Sequence, residues 1–291
     1  MKTIVSATKI LTDQECYDFL GTDDNDSDHP VIAPLRTSVE AWVQNVYCKR
    51  NLVSTEYRRD RYDGNNSRLL QLRNYPISNV ARVAINTENV ISIRNTRSGT
   101  ICSVSVNELG IKLNVDWVVT TLLFSAYATL TLVVDAINAR SADGWVASLS
   151  SPGRASMRSD EIIETFGQNA RENSVIYLSI PYQPEYGFEV ISDAGQIDFY
   201  AGFPGGIRNI FVDYTAGYAV AATAGVPDMP EGLKLGIKIL LKHVYQRRDE
   251  EAFGLDGYSV SGVSMSFNKE GIPVEARKLL SRYKRNLLGG L

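Results

Sequence analysis

The sequence predicts an α+β fold: a helical core, built from two N-terminal and two C-terminal helices, interrupted by a long β-rich insertion. Three observations lead there. Apolar residues recur three and four apart before residue 50 and again after residue 230, the period of a helix with one buried face. Between Ser54 and Tyr214 the apolar period is mostly two, the period of a strand. Neither terminal pair of helices can bury its stripe alone, so the two pairs must pack together.

The chain has 291 residues, 44% hydrophobic and 22% charged. Those values exclude a disordered or fibrous chain. A chain of this size buries roughly 70–75% of its unfolded surface and needs no metal or disulfide to fold. Thirty Lys and Arg stand against 33 Asp and Glu, a net charge of −3, which argues against wholesale wrapping of nucleic acid. Cys16, Cys48 and Cys102 form no C-x-x-C pair, and residues 1–9 have too short an apolar run for a signal peptide. Both point to a protein made and kept in a reducing cytoplasm. From Trp117 to Val134 there are 18 residues without a charge, the length of a membrane span. Five of them are hydroxyl residues, and Asp116 and Asp135 rather than Lys or Arg flank the stretch. A strand followed by a soluble helix is therefore expected, and no membrane.

Thr12-Asp13-Gln14-Glu15 is a capping box opening a first helix, which Gly21 ends. The acidic run Asp23–Asp28 lacks the turn glycine and distal Glu of a calcium loop and reads as a solvated loop. Pro30 starts a second helix with Ile32, Leu35, Val39, Trp42, Val43 and Val46 on one face. A strand from Tyr57 to Tyr62 reaches an Asp63-Gly64-Asn65-Asn66 turn that reverses the chain before Arg68–Leu72. Alternation returns at Ala81, Val83 and Ile85, at Cys102, Val104 and Val106, and at Leu109, Ile111 and Leu113. Helices are expected over Ala126–Ala139 and Asp160–Arg171. Strands follow at Val175–Ile180, Phe188–Ile191, Gln196–Tyr200 and Ile207–Tyr214, with Gly202–Gly206 as a hairpin turn. Pro230 opens a helix with Leu233, Ile237, Leu240, Leu241 and Val244 inward. A Gly/Ser-rich loop spans Gly254–Gly271, and a last helix begins near Pro273 with Ala276, Leu279, Leu280 and Tyr283 inward.

Catalytic patterns are missing. His29 and His243 have no serine or cysteine motif to pair with, and Gly257-Tyr258-Ser259-Val260-Ser261 is one glycine short of a nucleophile elbow. Two His and three scattered Cys give no zinc spacing, and no glycine-rich phosphate cradle occurs. Glu185, Glu189, Asp193 and Asp198 could face each other across strands as a glycosidase pair, but with 33 acids such coincidences are expected, and solvated strand faces are the better explanation. The expectation is no enzyme, no cofactor and no metal. Arg58-Arg59-Asp60-Arg61 lies between Tyr57 and Tyr62, and Arg247-Arg248 suits a helix C-terminus. Arg277, Lys278, Arg282, Lys284 and Arg285 make the last helix cationic, which fits a solvated face or a docking tail ending in Leu287-Leu288.

The run from Tyr62-Asp63-Gly64-Asn65-Asn66-Ser67 through Asn74-Tyr75-Pro76-Ile77 resembles the front signature of the head–tail connector (adaptor) proteins of long-tailed bacteriophages. Gly202-Phe203-Pro204 through Asn209-Ile210-Phe211-Val212-Asp213-Tyr214-Thr215-Ala216-Gly217-Tyr218 resembles the same family's back strand. The Pro-capped helix, the Gly257–Ser261 loop and the closing helix follow in the family's order. The resemblance covers residues 10–86 and 184–285. It implies a homo-oligomeric ring, generally a dodecamer, that docks beneath the portal protein after DNA packaging. The ring extends the DNA channel, through which DNA passes without specific binding, and offers a surface to a downstream head-completion or tail protein. The location implied is the virion neck, after synthesis in the host bacterial cytoplasm.

Carried over, residues 1–56 are the N-terminal helices and 57–86 with 184–218 the β-rich part. Residues 87–183 are extra, 219–285 complete the helical core, and 286–291 are a tail. Portal docking falls on Tyr283, Lys284, Arg285, Asn286, Leu287, Leu288 and Leu291. Shorter members pass almost directly from residue 86 to 184, so the family gives no role to the insertion beyond decorating the ring's outside. An alternative reading makes that insertion the binding module of a receptor- or carbohydrate-binding virion protein. Trp117, Trp145, Tyr177, Tyr182 and Tyr186 would be its platform, although the core explains most of them.

Overall fold

The computed structural model describes residues 2–5, 9–22, 29–182, 184–221, 223–249, 257–260, 263–266 and 272–285. The protein is mixed α+β, with antiparallel sheets. It opens with a strand that the sequence did not announce, β1 (Lys2–Val5), paired with residues 55–58. Helix α1 (Asp13–Leu20) forms as its capping box dictates. Thr12 Oγ1 accepts from the Glu15 N–H at 3.1 Å, and the Glu15 carboxylate accepts from the Thr12 N–H at 2.8 Å. Gly21, at φ 74°, closes the helix in the left-handed conformation glycine adopts freely. The acidic run Asp23–Asp28 lies outside the described residues.

Helix α2 (His29–Trp42) continues into a π-helical turn at Val43–Cys48. Ile32, Val39 and Val43 are buried as expected, but Val46 is 55% exposed. The i→i+5 turn is wider than an α-turn, so the inward face slips along the chain and Cys48 takes the position Val46 was expected to hold.

Strands β2 (Thr55–Gly64), β3 (Leu69–Gln71) and β4 (Ile77–Ile85) follow. Ala81 is exposed because it is an extra residue: Val80 pairs with Tyr214 and Arg82 with Asp213, leaving Ala81 in a bulge. The stretch after β4 holds β5 (Thr87–Asn95), β6 (Cys102–Val106), β7 (Gly110–Val115) and β8 (Val118–Leu123), then α3 (Leu130–Asn138) and β9 (Trp145–Leu149). It ends with β10 (Thr165–Asn169) and β11 (Ile176–Pro181). These strands make two sheets, β10-β6-β7-β8 and β11-β5-β9. Val90, Ile93, Val104, Ile111 and Leu178 share one core with Leu130, Val133 and Ile137 of α3.

The uncharged stretch 117–134 is thus a strand and part of a short helix. No helix among the described residues is long and apolar enough to cross a membrane. Helix α3 starts four residues later than expected, where Thr129 caps it. The helix expected over Asp160–Arg171 does not form. A 3-10 turn at Ser159–Glu161 leads instead into β10. Ile162, Ile163 and Phe166 imitate helical spacing, but Phe166 is 96% exposed and Gly167 follows it. Leu109 also points to solvent, just ahead of β7.

Next come β12 (Phe188–Ile191), β13 (Gln196–Phe199) and β14 (Gly206–Ala216). Sheet order is β1-β2-β14-β4 in one sheet and β12-β13-β3 in a smaller one. Two expected reversals are therefore not hairpins. The Asp63–Asn66 turn carries the chain from the first sheet to the second, and Gly202–Gly206 carries it back.

Helix α4 (Glu231–Asp249) starts after Pro230, whose carbonyl accepts from the Leu233 N–H at 2.9 Å. The Gly254–Gly271 region is not all loop, since β15 (Gly257–Val260) and β16 (Val263–Ser266) pair, Tyr258 opposite Met265. Ser261 lies outside the described residues. Helix α5 (Val274–Ser281) packs on α4, and α4 on α2 and α1. Ile10, Leu11, Cys16 and Val39 share one core with Leu233, Ile237, Leu240, Ala276 and Leu280, so the helices of the two chain ends close on each other. Gly236 sits at the α4–α5 crossing, where a Cβ would lie 3.0 Å from Leu280 Cγ.

Candidate docking site at the C-terminal end

The two runs that carry the family resemblance are far apart in sequence and locked together in space. Asp63 accepts from the Arg208 N–H at 2.6 Å, Asn66 from the Gly205 N–H at 2.7 Å, and Asn209 from the Gly64 N–H at 3.0 Å. A Cβ at Gly64 would stand 1.7 Å from the Pro204 carbonyl oxygen, so only glycine fits there. The turn residues that the sequence offered as chain reversers thus hold one crossing of two connections.

Behind this crossing lies a buried polar cluster. Asp60, fully buried, accepts from Tyr62 Oη at 2.6 Å and Tyr214 Oη at 3.1 Å, and it pairs with Arg73. Burial, with the Tyr214 and Asp60 oxygens close by, pushes the Tyr62 phenol well above its ordinary pKa. Tyr214 moves the same way, chiefly by burial. A second cluster ties β2, β4 and β14 to the 87–183 region. Arg82 holds Asp213 and Glu161, each at 2.7 Å, while Arg59 donates to the Ile162 carbonyl at 2.5 Å. Burial raises the Asp213 carboxyl despite the pull of Arg82. So Arg59 and Asp60, which in sequence read as part of a basic run, are interior positions.

The C-terminal segment is fixed to the core through its main chain. Arg50 Nε donates to the Tyr283 carbonyl at 2.8 Å, Tyr75 Oη to the Lys284 carbonyl at 2.9 Å, and the Arg285 N–H to the Cys48 carbonyl at 2.9 Å. The Tyr283 ring meets Tyr218 edge-on at 6.3 Å between centroids, and Lys284 Nζ stands 4.1 Å over the Tyr47 ring. Tyr283, Lys284 and Arg285 therefore belong to one built corner of the molecule. Asn286, Leu287, Leu288 and Leu291 lie outside the described residues. Sequence reasoning missed Arg50 and Tyr75, which hold this corner; no spacing links them to the C-terminus.

The other sequence candidates disperse. Glu189 pairs directly opposite Asp198, but Arg68 grips both Asp198 oxygens at 3.1 and 3.0 Å. Glu185 precedes β12 and Asp193 sits in the turn before β13. Of the aromatic platform only Trp145, 2% exposed, is core, whereas Trp117 is 78% exposed at the β7–β8 turn and Tyr177, Tyr182 and Tyr186 are also exposed. No group of three or more metal-ligating side chains occurs among the described residues. His243 lies within α4; the side chains of His29, Arg247 and Arg248 lie outside what is described.

No family model matches this chain, and no curated protein matches it. Among solved structures it is similar to a chain from the neck of an empty GTA particle computed with C6 symmetry. That likeness has 12% identity and a TM-score of 0.44, over 100% of this chain and 99% of that one.

Proposed function

We propose that the chain is a structural virion protein of a phage neck, a head–tail connector (adaptor) subunit. It assembles with copies of itself into a ring, expected as a dodecamer, and docks under the portal protein after DNA packaging. There it extends the DNA channel and offers the attachment surface for a head-completion or tail protein. The observation that carries this reading is the crossing of residues 63–67 with 203–209: the turn residues on which the resemblance rests form one contact set. The core shared by residues of both chain ends also supports the reading.

In this reading docking belongs to the segment from Tyr283 to Leu291, whose residues 283–285 are fixed to the core through their main chain. DNA passes the ring without specific binding, as suits a chain of net charge −3. The test is native mass spectrometry of the protein with its cognate portal, intact and cut after Arg285. Cutting after Arg282 would also remove the groups bonded to Arg50, Tyr75 and Cys48 and so mix docking with stability. A complex of ring stoichiometry lost on truncation is the expected result. No complex with either form overturns the connector reading, and a complex with both overturns the role of the tail.

A further inference from the structure

Beside the corner where the C-terminal segment leaves, four cations, Lys49, Arg50, Arg73 and Arg285, line an open pocket of about 570 Å³ with the amides of Asn45 and Asn74. No carboxylate among the described residues lines it. Arg73 is answered by Asp60, but Lys49, Arg50 and Arg285 have no ion pair among the described residues. Arg50 is only 5% exposed, and all its partners are neutral: it donates to the carbonyls of Tyr283 and Tyr75, bonds the Tyr218 side chain and stands 3.8 Å over the Tyr75 ring. The Tyr75 ring faces its charge, and no carboxylate among the described residues pairs with it. The Arg285 Nε is buried and has no acceptor among the described residues. Positive potential concentrates in a concave, partly desolvated place of this kind, and a guanidinium lacking an acceptor there is suited to an incoming oxyanion.

We propose that this pocket receives a carboxylate side chain presented by a partner protein. The shape favours a side chain over a nucleic-acid backbone. Duplex DNA presents phosphates in a continuous row and is held by several exposed cations at once. Here the cations come from three separate segments around one open concavity, and a group must project into it to meet Lys49 and Arg285 together. The two nitrogens of a guanidinium fork match the two oxygens of a carboxylate. This inference stands apart from the neck reading, because it needs only a partner with acidic side chains.

Fluorescence anisotropy of a labelled oligoglutamate peptide and of a short labelled DNA duplex, both at low salt, tests it. Lys49→Ala with Arg285→Ala removes the two outer cations and leaves Arg50 to hold the corner. Lys112→Ala with Arg140→Ala, at exposed positions of the 87–183 region, makes the same change in net charge elsewhere. The expected result is peptide binding weakened about tenfold or more by the pocket pair, unchanged by the control pair, with thermal melts preserved. Absence of peptide binding, or an equal loss in the control pair, overturns the proposal. Tighter binding of the duplex, lost in the pocket pair, also overturns it and gives the pocket to phosphodiesters.

Discussion

Buried charge is the most demanding feature at the scale of single residues, and Asp60 is its clearest case. Two phenol hydroxyls and Arg73 fill its oxygens. The Arg73 side chain is 41% exposed, so water already screens part of its charge, and Arg73→Ala is expected to lower stability by about 1–2 kcal/mol, read from urea unfolding. The thiols give a pH prediction. Burial pushes Cys16 and Cys48 from the ordinary 9.0 up to about 11. An unfolded chain therefore releases these protons at lower pH than the folded one. Stability that is intact below pH 9 is lost as pH rises towards 11. Urea midpoints across that window should fall, and Cys16→Ala with Cys48→Ala should flatten the slope. All three cysteines are buried, so a thiol reagent at pH 8 should label none in the native protein and all after denaturation.

Among the elements, what could be read from the sequence was what is decided locally. The Thr12 capping box, the Gly21 stop and the Pro-started α4 depend on groups within a few residues, and each stands where the chain announces it. The π-turn at Val43–Cys48 was invisible because its phase slip answers packing against distant helices. The Asp63–Asn66 turn reads in sequence as a chain reversal and Gly202–Gly206 as a hairpin turn because turn chemistry shows where a chain bends, not which strand it will join. The neighbours these turns lead to are remote: β14, beside β2, and β13, beside β3, lie more than a hundred residues further along the chain. Helix contact gives the element its own prediction. Gly236→Val forces two methyls against Leu280 and Leu279 and should cost about 1–3 kcal/mol, seen as a lower melting temperature with retained helicity.

For the whole molecule, the 87–183 region begins and ends at one place: Thr87 pairs with Pro181, and the Tyr182 N–H donates to the Asn86 carbonyl at 3.0 Å. Its core residues are distinct from those of the helices and of the β2–β14 sheet. Replacing residues 87–181 by two glycines is therefore predicted to leave a cooperatively melting remainder, weakened where Ile163 leaves Ala84 and Phe211 uncovered. A non-cooperative melt would show that the two parts fold only together. The C-terminal corner was legible in sequence as cationic and apolar character, whereas its holders, Arg50 and Tyr75, and the pocket's three separate segments were not. That corner also bears on how this protein can drift. Arg50, Tyr75 and Cys48 engage the backbone of residues 283–285, which every amino acid but proline supplies in full. Lys284, exposed, can then be rewritten to suit a changing neighbour while the anchor stays where it is, so mutational freedom is granted to the surface and withheld from Arg50 and Tyr75.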